Sequence, residues 1–456
     1  MSNSQSFTEG KILPALLKFA FPVLIALLLQ AMYGAVDLLI IGKFGLASDI
    51  SAVSTGSQIM QTVTVVITGL SMGITILAGQ KIGEKLPEQA GEAVGSGICL
   101  FILLGIATSI LMAAFAQPVS VLMKAPDEAF AQTVSYVRIC GAGGIFIVAY
   151  NILGSIFRGI GDSKMPLITV AIACVLNIAG DLLFIAVFQM GVAGAAIATV
   201  AAQAISVVIS YFIIRRRQLP FTLSSDKIRM NRTVVRKIVS LGLPIALQDL
   251  LVSISFLVIL AIVNSLGVVA SAGLGIAEKL CGFVMLVPSS FMQAMSAFVA
   301  QNVGAKEMGR AKKALGFGIA SALLAGFVMG WFSFFHGDIM ASWFTKAGDT
   351  AVITAGWDYL KAFAIDCLLT SFLFCFLGYF NGCGKTLFVM IQGIVGAFCV
   401  RIPISYIVSQ TAGVTLFRIG LATPISTAVQ IVLCLIYFKR QSKSDERLPE
   451  GEGNIH

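Results

Sequence analysis

Two aspartates lie inside long apolar segments of the sequence, where a charged side chain is unfavourable. Asp37 lies within "QAMYGAVDLLIIGK" at 30–43, and Asp181 lies within "LNIAGDLLF" at 176–184. A carboxylate at the centre of a membrane-spanning helix costs about 2.5–3.5 kcal/mol on insertion scales, and such residues usually face a cavity and act there. Both aspartates are therefore predicted to belong to a binding site.

Helical geometry places other polar side chains at a similar depth. With a rise of 1.5 Å per residue, Asp37 lies roughly 9 Å and Asp181 roughly 10 Å from the outer end of its helix. Thr199 and Tyr136 come out at roughly 12 and 10 Å, and Asn177 lies one turn from Asp181 on the same face. Two local alternatives stay open, because Thr199 can bond its own helix backbone and Tyr136 can be an interfacial anchor.

The chemistry of these groups indicates cation binding. Two carboxylates close together in a low-dielectric site cannot both ionise cheaply, so one takes up a proton or a cation enters between them. Oxygen ligands from Asp, Asn and Thr suit a hard cation such as Na⁺. On the first helix, Gln30, Tyr33 and Asp37 share one face, because they are spaced i, i+3 and i+7.

The second half of the sequence carries different intramembrane charges, namely Asp249, Glu278, Asp366 and Arg401. At an offset of 222–223 residues, Asp37 corresponds to Ile259 and Asp181 to Ile404, so the acidic pair is not repeated. Two interpretations remain open. The charges form an internal carboxylate–guanidinium network, or they form a second site for a proton or a cationic substrate.

The elements that must position these residues are membrane helices. The chain is 57% hydrophobic and 12% charged, whereas soluble domains carry about 25% charged residues. A span needs about 20 apolar residues. Twelve such segments are predicted, at 14–41, 50–78, 91–116, 129–152, 164–188, 191–214, 237–266, 269–302, 310–335, 350–379, 386–409 and 416–438.

Basic residues such as Lys85, Arg158 and Lys306 fall in alternate loops, which predicts that both termini and the long 215–236 loop are cytoplasmic. The net charge of +9 is distributed over these loops, which argues against a nucleic-acid partner. The segment "GCGKT" at 382–386 lacks the first glycine of a phosphate-binding loop, and no H-E-x-x-H motif occurs. We therefore predict that the chain is not an enzyme.

The sequence repeats itself. "FAFPVLIALLLQ" from Phe19 matches "LGLPIALQDLLV" from Leu241, "AGQKIGEK" at 78–85 matches "VAQNVGAK" at 299–306, and "FRGIGDSK" at 157–164 matches "FNGCGKTL" at 380–387. Parallel repeats are a recurring plan of secondary transporters, with substrate held between the halves. The predicted divisions are an N-terminus at 1–13, a six-helix lobe at 14–214, a linker at 215–236, a second six-helix lobe at 237–438 and a tail at 439–456.

Several of these motifs resemble the multidrug and toxic compound extrusion (MATE) family. They are "FRGIGDSKMP" at 157–166, "LNIAGDLLF", "GVAGAAIAT" at 191–199 and "QAMYGAVD" at 30–37. The resemblance implies an all-α polytopic fold of twelve transmembrane helices, in two six-helix halves related by pseudo-two-fold symmetry. It also implies export of organic cations and other amphiphiles, driven by inward Na⁺ or H⁺.

The resemblance is greatest to the prokaryotic branch whose acidic pair lies in the N-terminal half. It implies a cation-coupling site, for H⁺ or Na⁺, at Asp37, Asn177, Asp181 and Thr199. It also implies an adjacent substrate cavity at Gln30, Tyr33 and Tyr136. The branch with a helix-7 glutamate fits less well, because Val252 occupies the aligned position and Asp366 lies about one turn from that branch's helix-10 aspartate.

The resulting hypothesis is a secondary antiporter that works by alternating access. A flippase or exporter of lipid-linked precursors or metabolites, from the same superfamily, is the alternative. We expect no cofactor beyond the coupling ion H⁺ or Na⁺. The expected partners are small amphiphilic molecules and the lipid bilayer, with the chain monomeric in a prokaryotic cell (inner or plasma) membrane.

Overall fold

The computed structural model describes residues 7–216, 219–221, 228–345 and 349–447. The first half of the chain forms seven α-helices joined by short turns. They are α1 (Ile12–Phe44), α2 (Ala47–Gly83), α3 (Pro87–Leu122), α4 (Asp127–Ala142), α5 (Gly144–Gly159), α6 (Lys164–Asp181) and α7 (Gly191–Arg215). A π-helical segment, Leu182–Val187, continues α6.

The second half is likewise helical. Its helices are α8 (Arg232–Asn264), α9 (Val268–Val284), α10 (Leu286–Gly304), α11 (Met308–Ser342), α12 (Thr350–Gly382), α13 (Thr386–Ile394), α14 (Ile402–Ser409), α15 (Leu416–Gly420) and α16 (Ala422–Arg447). A second π-helical segment, Val395–Arg401, joins α13 to α14.

Within the described residues, eleven helical stretches are long and apolar enough to span a membrane, or up to twelve if the bent pair α4–α5 is one span. This agrees with the predicted all-α polytopic fold. Some stretches combine consecutive helices, such as α9 with α10 and α15 with α16. Several helices are longer than the predicted apolar segments. Helix α2 starts at Ala47 and ends at Gly83, and α16 continues into the predicted tail as far as Arg447. Hydropathy marks only the apolar part of each helix. Parts of the predicted N-terminus, linker and tail lie outside the described residues.

The fourth predicted span, 129–152, is not one continuous helix in the structure. The structure has α4 and α5 instead, bent by 56° relative to each other. The break falls at Gly143, where a Cβ would collide with the side chain of Val200 on α7. Beyond the break, the Ile145 amide donates to the Ser109 hydroxyl at 3.1 Å. The close approach of α7 therefore requires glycine at position 143. The Ser109 hydroxyl accepts the hydrogen bond of the Ile145 amide, which the break leaves without a helical partner.

Backbone conformation repeats with the sequence. Lys85 and Lys306 both adopt positive φ, at 58° and 60°, and Gly161 and Gly384 do so at 82° and 73°. Each pair occupies equivalent positions of the repeated motifs. A positive φ is uncommon for a lysine, so its recurrence at equivalent positions indicates that the two halves share local structure as well as sequence.

The C-terminal ends of α2 and α10 contact each other at repeat-equivalent glycines. A Cβ on Gly83 would collide with the carbonyl oxygen of Gln301, and a Cβ on Gly304 would collide with that of Gln80. The contact is therefore reciprocal, and we call it the glycine crossing.

The glutamines of the glycine crossing also donate reciprocal hydrogen bonds. Gln80 Nε2 donates to the carbonyl oxygen of Gly382 at 3.2 Å, and Gln301 Nε2 donates to that of Gly159 at 3.0 Å. Each bond runs from one repeat to the other. These contacts belong to the first of two compact units.

That unit comprises Met1–Leu250, Ser289–Phe317 and Gly378–Leu387, and the second unit comprises the remaining segments. The unit boundaries thus differ from the predicted lobe boundaries. They differ because ends of helices from the second half pack against helices of the first.

Candidate cation site and adjoining cavity

Helices α1, α6 and α7 bring together the predicted cation-coupling residues. The Thr199 hydroxyl lies 3.4 Å from Asp37 Oδ2, and Asn177 Nδ2 donates to the Thr199 hydroxyl at 3.4 Å. The same hydroxyl lies 3.0 Å from the carbonyl oxygen of Ala195, one turn earlier on its own helix. One hydroxyl proton cannot serve both acceptors fully, so the backbone alternative for Thr199 is also present in the structure.

Asp181 completes the cluster. Asp37 is 4% exposed, Asn177 2% and Asp181 0%, and the carboxyl groups of the two aspartates lie close enough to affect each other electrostatically. An ionised carboxylate only accepts hydrogen bonds. The pair can therefore bond only when one member is protonated or when a cation lies between them.

Four buried oxygens of this cluster have no hydrogen-bond partner among the described residues. They are Asp37 Oδ1, Asn177 Oδ1, Asp181 Oδ1 and Asp181 Oδ2. A buried acceptor left unsatisfied costs about 1–3 kcal/mol, and native structures contain few of them. Such a concentration of acceptors fits a ligand that brings positive charge, either a proton or a hard cation.

The local helix geometry explains how α6 presents its two polar residues. Asn177 and Asp181 are spaced i, i+4 and so lie on one face. Asp181 is the last residue of α6 before the π-helical segment Leu182–Val187. Single π-turns inside α-helices occur frequently at functional sites, and here the change of pitch begins directly after the carboxylate.

The predicted cavity residues have three different environments. Gln30 lines a cavity with about 50 Å³ of free volume. The Tyr33 side chain lies beside Gln203 of α7. Tyr136 is 3% exposed and packs on Gly56, where a Cβ would collide with its ring. Tyr136 is thus enclosed by protein and is not among the residues that line the cavity beside Gln30.

Sequence reasoning missed part of the cavity wall. Tyr150, Asn151 and Arg158 of α5 line it together with Gln30. The sequence prediction counted Arg158 as a loop residue, but the structure places it in the last turn of α5. The four-residue spacing of Tyr150, Gly154 and Arg158 was the available signal, since it places all three on one helix face.

The intramembrane charges of the second half have partners of their own. The Thr370 hydroxyl donates to Asp366 Oδ2 at 2.8 Å. Arg401 donates to the Ser255 hydroxyl at 3.2 Å, and its guanidinium lies 4.5 Å from the centre of the Phe256 ring. Asp366 and Arg401 also attract each other electrostatically. The Asp366 carboxylate and the Arg401 guanidinium therefore lie near each other.

The other two predicted charges of this set are half-buried. Glu278 lies on α9, in the second compact unit with Asp366 and Arg401, whereas Asp249 lies on the part of α8 that belongs to the first unit. Of the four residues in the predicted network, Asp249 therefore belongs to one compact unit and the other three belong to the other.

Comparison with known proteins identifies the family. The MatE family model matches this chain twice, over residues 22–183 and 244–407, with starts 222 residues apart. The probable multidrug resistance protein YoeA of Bacillus subtilis is 25% identical over 437 residues, which is 92% of each chain. The multidrug export protein MepA of Staphylococcus saprophyticus is 23% identical over 98% of each chain.

A solved structure shows the same fold. The crystal structure of MATE in complex with MaL6 matches with a TM-score of 0.91 at 21% identity, covering 98% of this chain and 100% of the other. The double match of the family model agrees with the internal repeat seen in sequence and backbone. The chain therefore belongs to the MATE family of multidrug efflux transporters.

Proposed function

We propose that this transporter is an antiporter that exchanges H⁺ or Na⁺ for amphiphilic, often cationic compounds, by alternating access. The observation that carries this proposal is the buried pair Asp37 and Asp181 with four unsatisfied acceptor oxygens around it. Such a pair binds positive charge. The names of similar proteins, multidrug resistance and multidrug export proteins, support the substrate class.

The cation and the substrate compete for one negative site. A proton or Na⁺ at Asp37 and Asp181 neutralises the pair and weakens its attraction for a cationic substrate. Asn177 and Thr199 supply further oxygens to a bound Na⁺, and Gln30 lines the cavity on the same face of α1 as Asp37. Entry of one net cation across about 100 mV releases about 2.3 kcal/mol, enough for nearly 50-fold accumulation if its charge is not compensated.

The proposed setting is a prokaryotic cell membrane with both termini in the cytoplasm. It rests on the basic residues of alternate loops. The chain would act as a monomer, with the bilayer and small amphiphiles as its partners.

Transport in proteoliposomes tests the proposal. Efflux of a fluorescent organic cation is measured while Na⁺ and pH gradients are imposed separately. We expect one gradient to drive accumulation in the wild type and neither to do so in Asp37→Asn. Asp358→Asn is the matched control, because Asp358 forms a surface ion pair with Lys361 at 3.0 Å. Gradient-driven efflux in Asp37→Asn contradicts the proposed site. Movement of lipid-linked precursors without export of the cation favours the flippase alternative.

A further inference from the structure

The cavity beside Gln30 has an arginine on its wall. Tyr150, Gly154 and Arg158 follow one face of α5 and all three line the cavity. The position that a Cβ of Gly154 would occupy lies 3.1 Å from Arg158 Nη1. The glycine thus leaves room for the guanidinium to lie along the helix surface one turn before its own Cα.

Two polar groups at this wall lack full hydrogen bonding within the described residues. Arg158 Nη2 donates to the Ser155 hydroxyl at 2.8 Å, but its Nε is buried without a partner. Tyr150 is 6% exposed, and its hydroxyl is also buried without a partner. The two side chains interact electrostatically, so their unsatisfied donors lie in the same part of the cavity.

The charge of the cavity is unbalanced. Its lining, taken from the described residues, contains one guanidinium, the amides of Gln30, Asn151 and Gln293, and no carboxylate. A cationic side chain within a membrane protein is normally paired or faces water. A guanidinium presents a planar fork of N–H donors that fits a carboxylate, and hydrogen bonds between charged groups are stronger than neutral ones.

We propose that this cavity is an anion subsite, in which Arg158 and Tyr150 bind the carboxylate of a zwitterionic amphiphile. The free volume of about 50 Å³ exceeds the 10–15 Å³ or so that one water needs. It accommodates a carboxylate group, while the rest of the ligand lies outside. The cationic end binds Asp37 and Asp181, and this second contact rests on the proposed function.

The spacing along α1 sets the length of the ligand. Gln30 lines the cavity, and Asp37 follows it seven residues later on the same helix face. Seven residues correspond to roughly 10 Å along the helix axis. An amphiphile with an amine and a carboxylate about that far apart, such as 8-aminooctanoate, is therefore the probe of choice.

Equilibrium binding of three radiolabelled probes to the purified full-length transporter in detergent tests the subsite. The probes are 8-aminooctanoate, its methyl ester and octanoate. In Arg158→Gln, we expect the affinity for the two carboxylates to fall about 10- to 100-fold, as for loss of a charged hydrogen bond, while the ester binds as in the wild type. In Tyr150→Phe, we expect a fall of a few-fold for the carboxylates alone.

Controls separate this proposal from other causes. Arg215→Gln changes an exposed arginine at the end of α7 and should leave all three affinities unchanged. Arg158→Lys keeps the charge and should retain most carboxylate binding even if Arg158→Gln is poorly folded. Equal weakening of ester and carboxylates, or no change in either, overturns the subsite. If Asp37→Asn leaves the ester unaffected while Arg158→Gln still weakens octanoate, the proposed cation site fails and the anion subsite stands.

Discussion

The two halves of the chain contain buried acidic groups with opposite means of neutralisation. In the first half, Asp37 and Asp181 affect each other electrostatically, and the Thr199 hydroxyl lies 3.4 Å from Asp37 Oδ2. In the second half, Asp366 accepts from the Thr370 hydroxyl and is attracted by the Arg401 guanidinium. The first cluster can be neutralised only by a bound proton or cation, whereas the second cluster contains the Arg401 guanidinium as its positive charge.

This difference separates a binding role from a structural one. A carboxylate that has a cation within the protein is held in one charge state, and an incoming ion has little to gain there. A pair of facing carboxylates changes its charge whenever a proton or a metal cation arrives or leaves. The proposed coupling role of the first cluster can therefore be tested by substitutions in either half.

The largest effect is expected at the acidic pair. Substrate affinity should rise with pH, or as Na⁺ is removed, because fewer competing cations then occupy the carboxylates. In Asp37→Asn this ion dependence should disappear, and Asp181→Asn should likewise lose coupled transport while still inserting in the membrane. The ion dependence is measured by equilibrium binding of an organic cation at a series of pH values and Na⁺ concentrations. An ion dependence that survives in Asp37→Asn rules out Asp37 as the shared site.

A smaller effect is expected at the second cluster, and on stability rather than coupling. Arg401→Gln leaves Asp366 without its guanidinium and should lower stability by about 2 kcal/mol, less than the 3–5 kcal/mol for directly bonded buried pairs. Adding Asp366→Asn to that variant should restore part of the loss. Thermal unfolding in detergent and gradient-driven efflux are measured together. Normal stability with complete loss of coupling would move the ion site to this half.

Thr199→Val should have a weaker effect than either aspartate substitution. Its hydroxyl is 3.4 Å from Asp37 Oδ2 and closer to its own helix carbonyl. Losing one such hydrogen bond, worth about 1 kcal/mol, should reduce ion affinity about 5-fold. Thr199→Ser keeps the hydroxyl and serves as the control. Equal behaviour of the Val and Ser variants in ion titrations would show that the hydroxyl makes no contribution.

The smallest effect on binding is expected at Pro22, which lies inside the continuous helix α1. Proline removes one backbone hydrogen bond and favours a bend, so Pro22→Ala should stiffen α1. Turnover should slow while the ion dependence of substrate affinity persists. Single-turnover efflux measures the turnover rate, and equilibrium binding measures the ion dependence of substrate affinity. A changed ion dependence with normal turnover would contradict a mechanical role.

The structure also shows which features the sequence makes predictable. The regular rise of a helix converts residue number into distance, so depth groups Asp37, Asn177, Asp181 and Thr199 together with Tyr136. The chemistry of the side chains and the resemblance to the MATE family then separate the four proposed cation ligands from Tyr136. The break at Gly143 is not predictable from the local sequence, since the contact that excludes a side chain there is with Val200, which is distant in sequence. Local patterns thus locate residues along a helix, but they do not reveal which distant side chains pack against it.

Arg158 and Tyr136 illustrate the same limit. An arginine near the end of an apolar segment looks like a loop residue, and only the path of α5 places Arg158 on a cavity wall. The depth of Tyr136 was estimated from its span, but its enclosure depends on Gly56 of α2. Depth follows from one helix, whereas access to a cavity depends on several.

The glycine crossing constrains how this sequence can evolve. Gln80 and Gln301 each donate to a carbonyl of the other repeat, and Gly83 and Gly304 each admit the other's backbone. The two sequence repeats differ in their buried charged residues, but they have the same glutamine and glycine at the glycine crossing, where they contact each other. A larger residue at either glycine would need a compensating backbone shift in the opposite copy. In related chains, substitutions at these four positions should therefore arise in matched pairs.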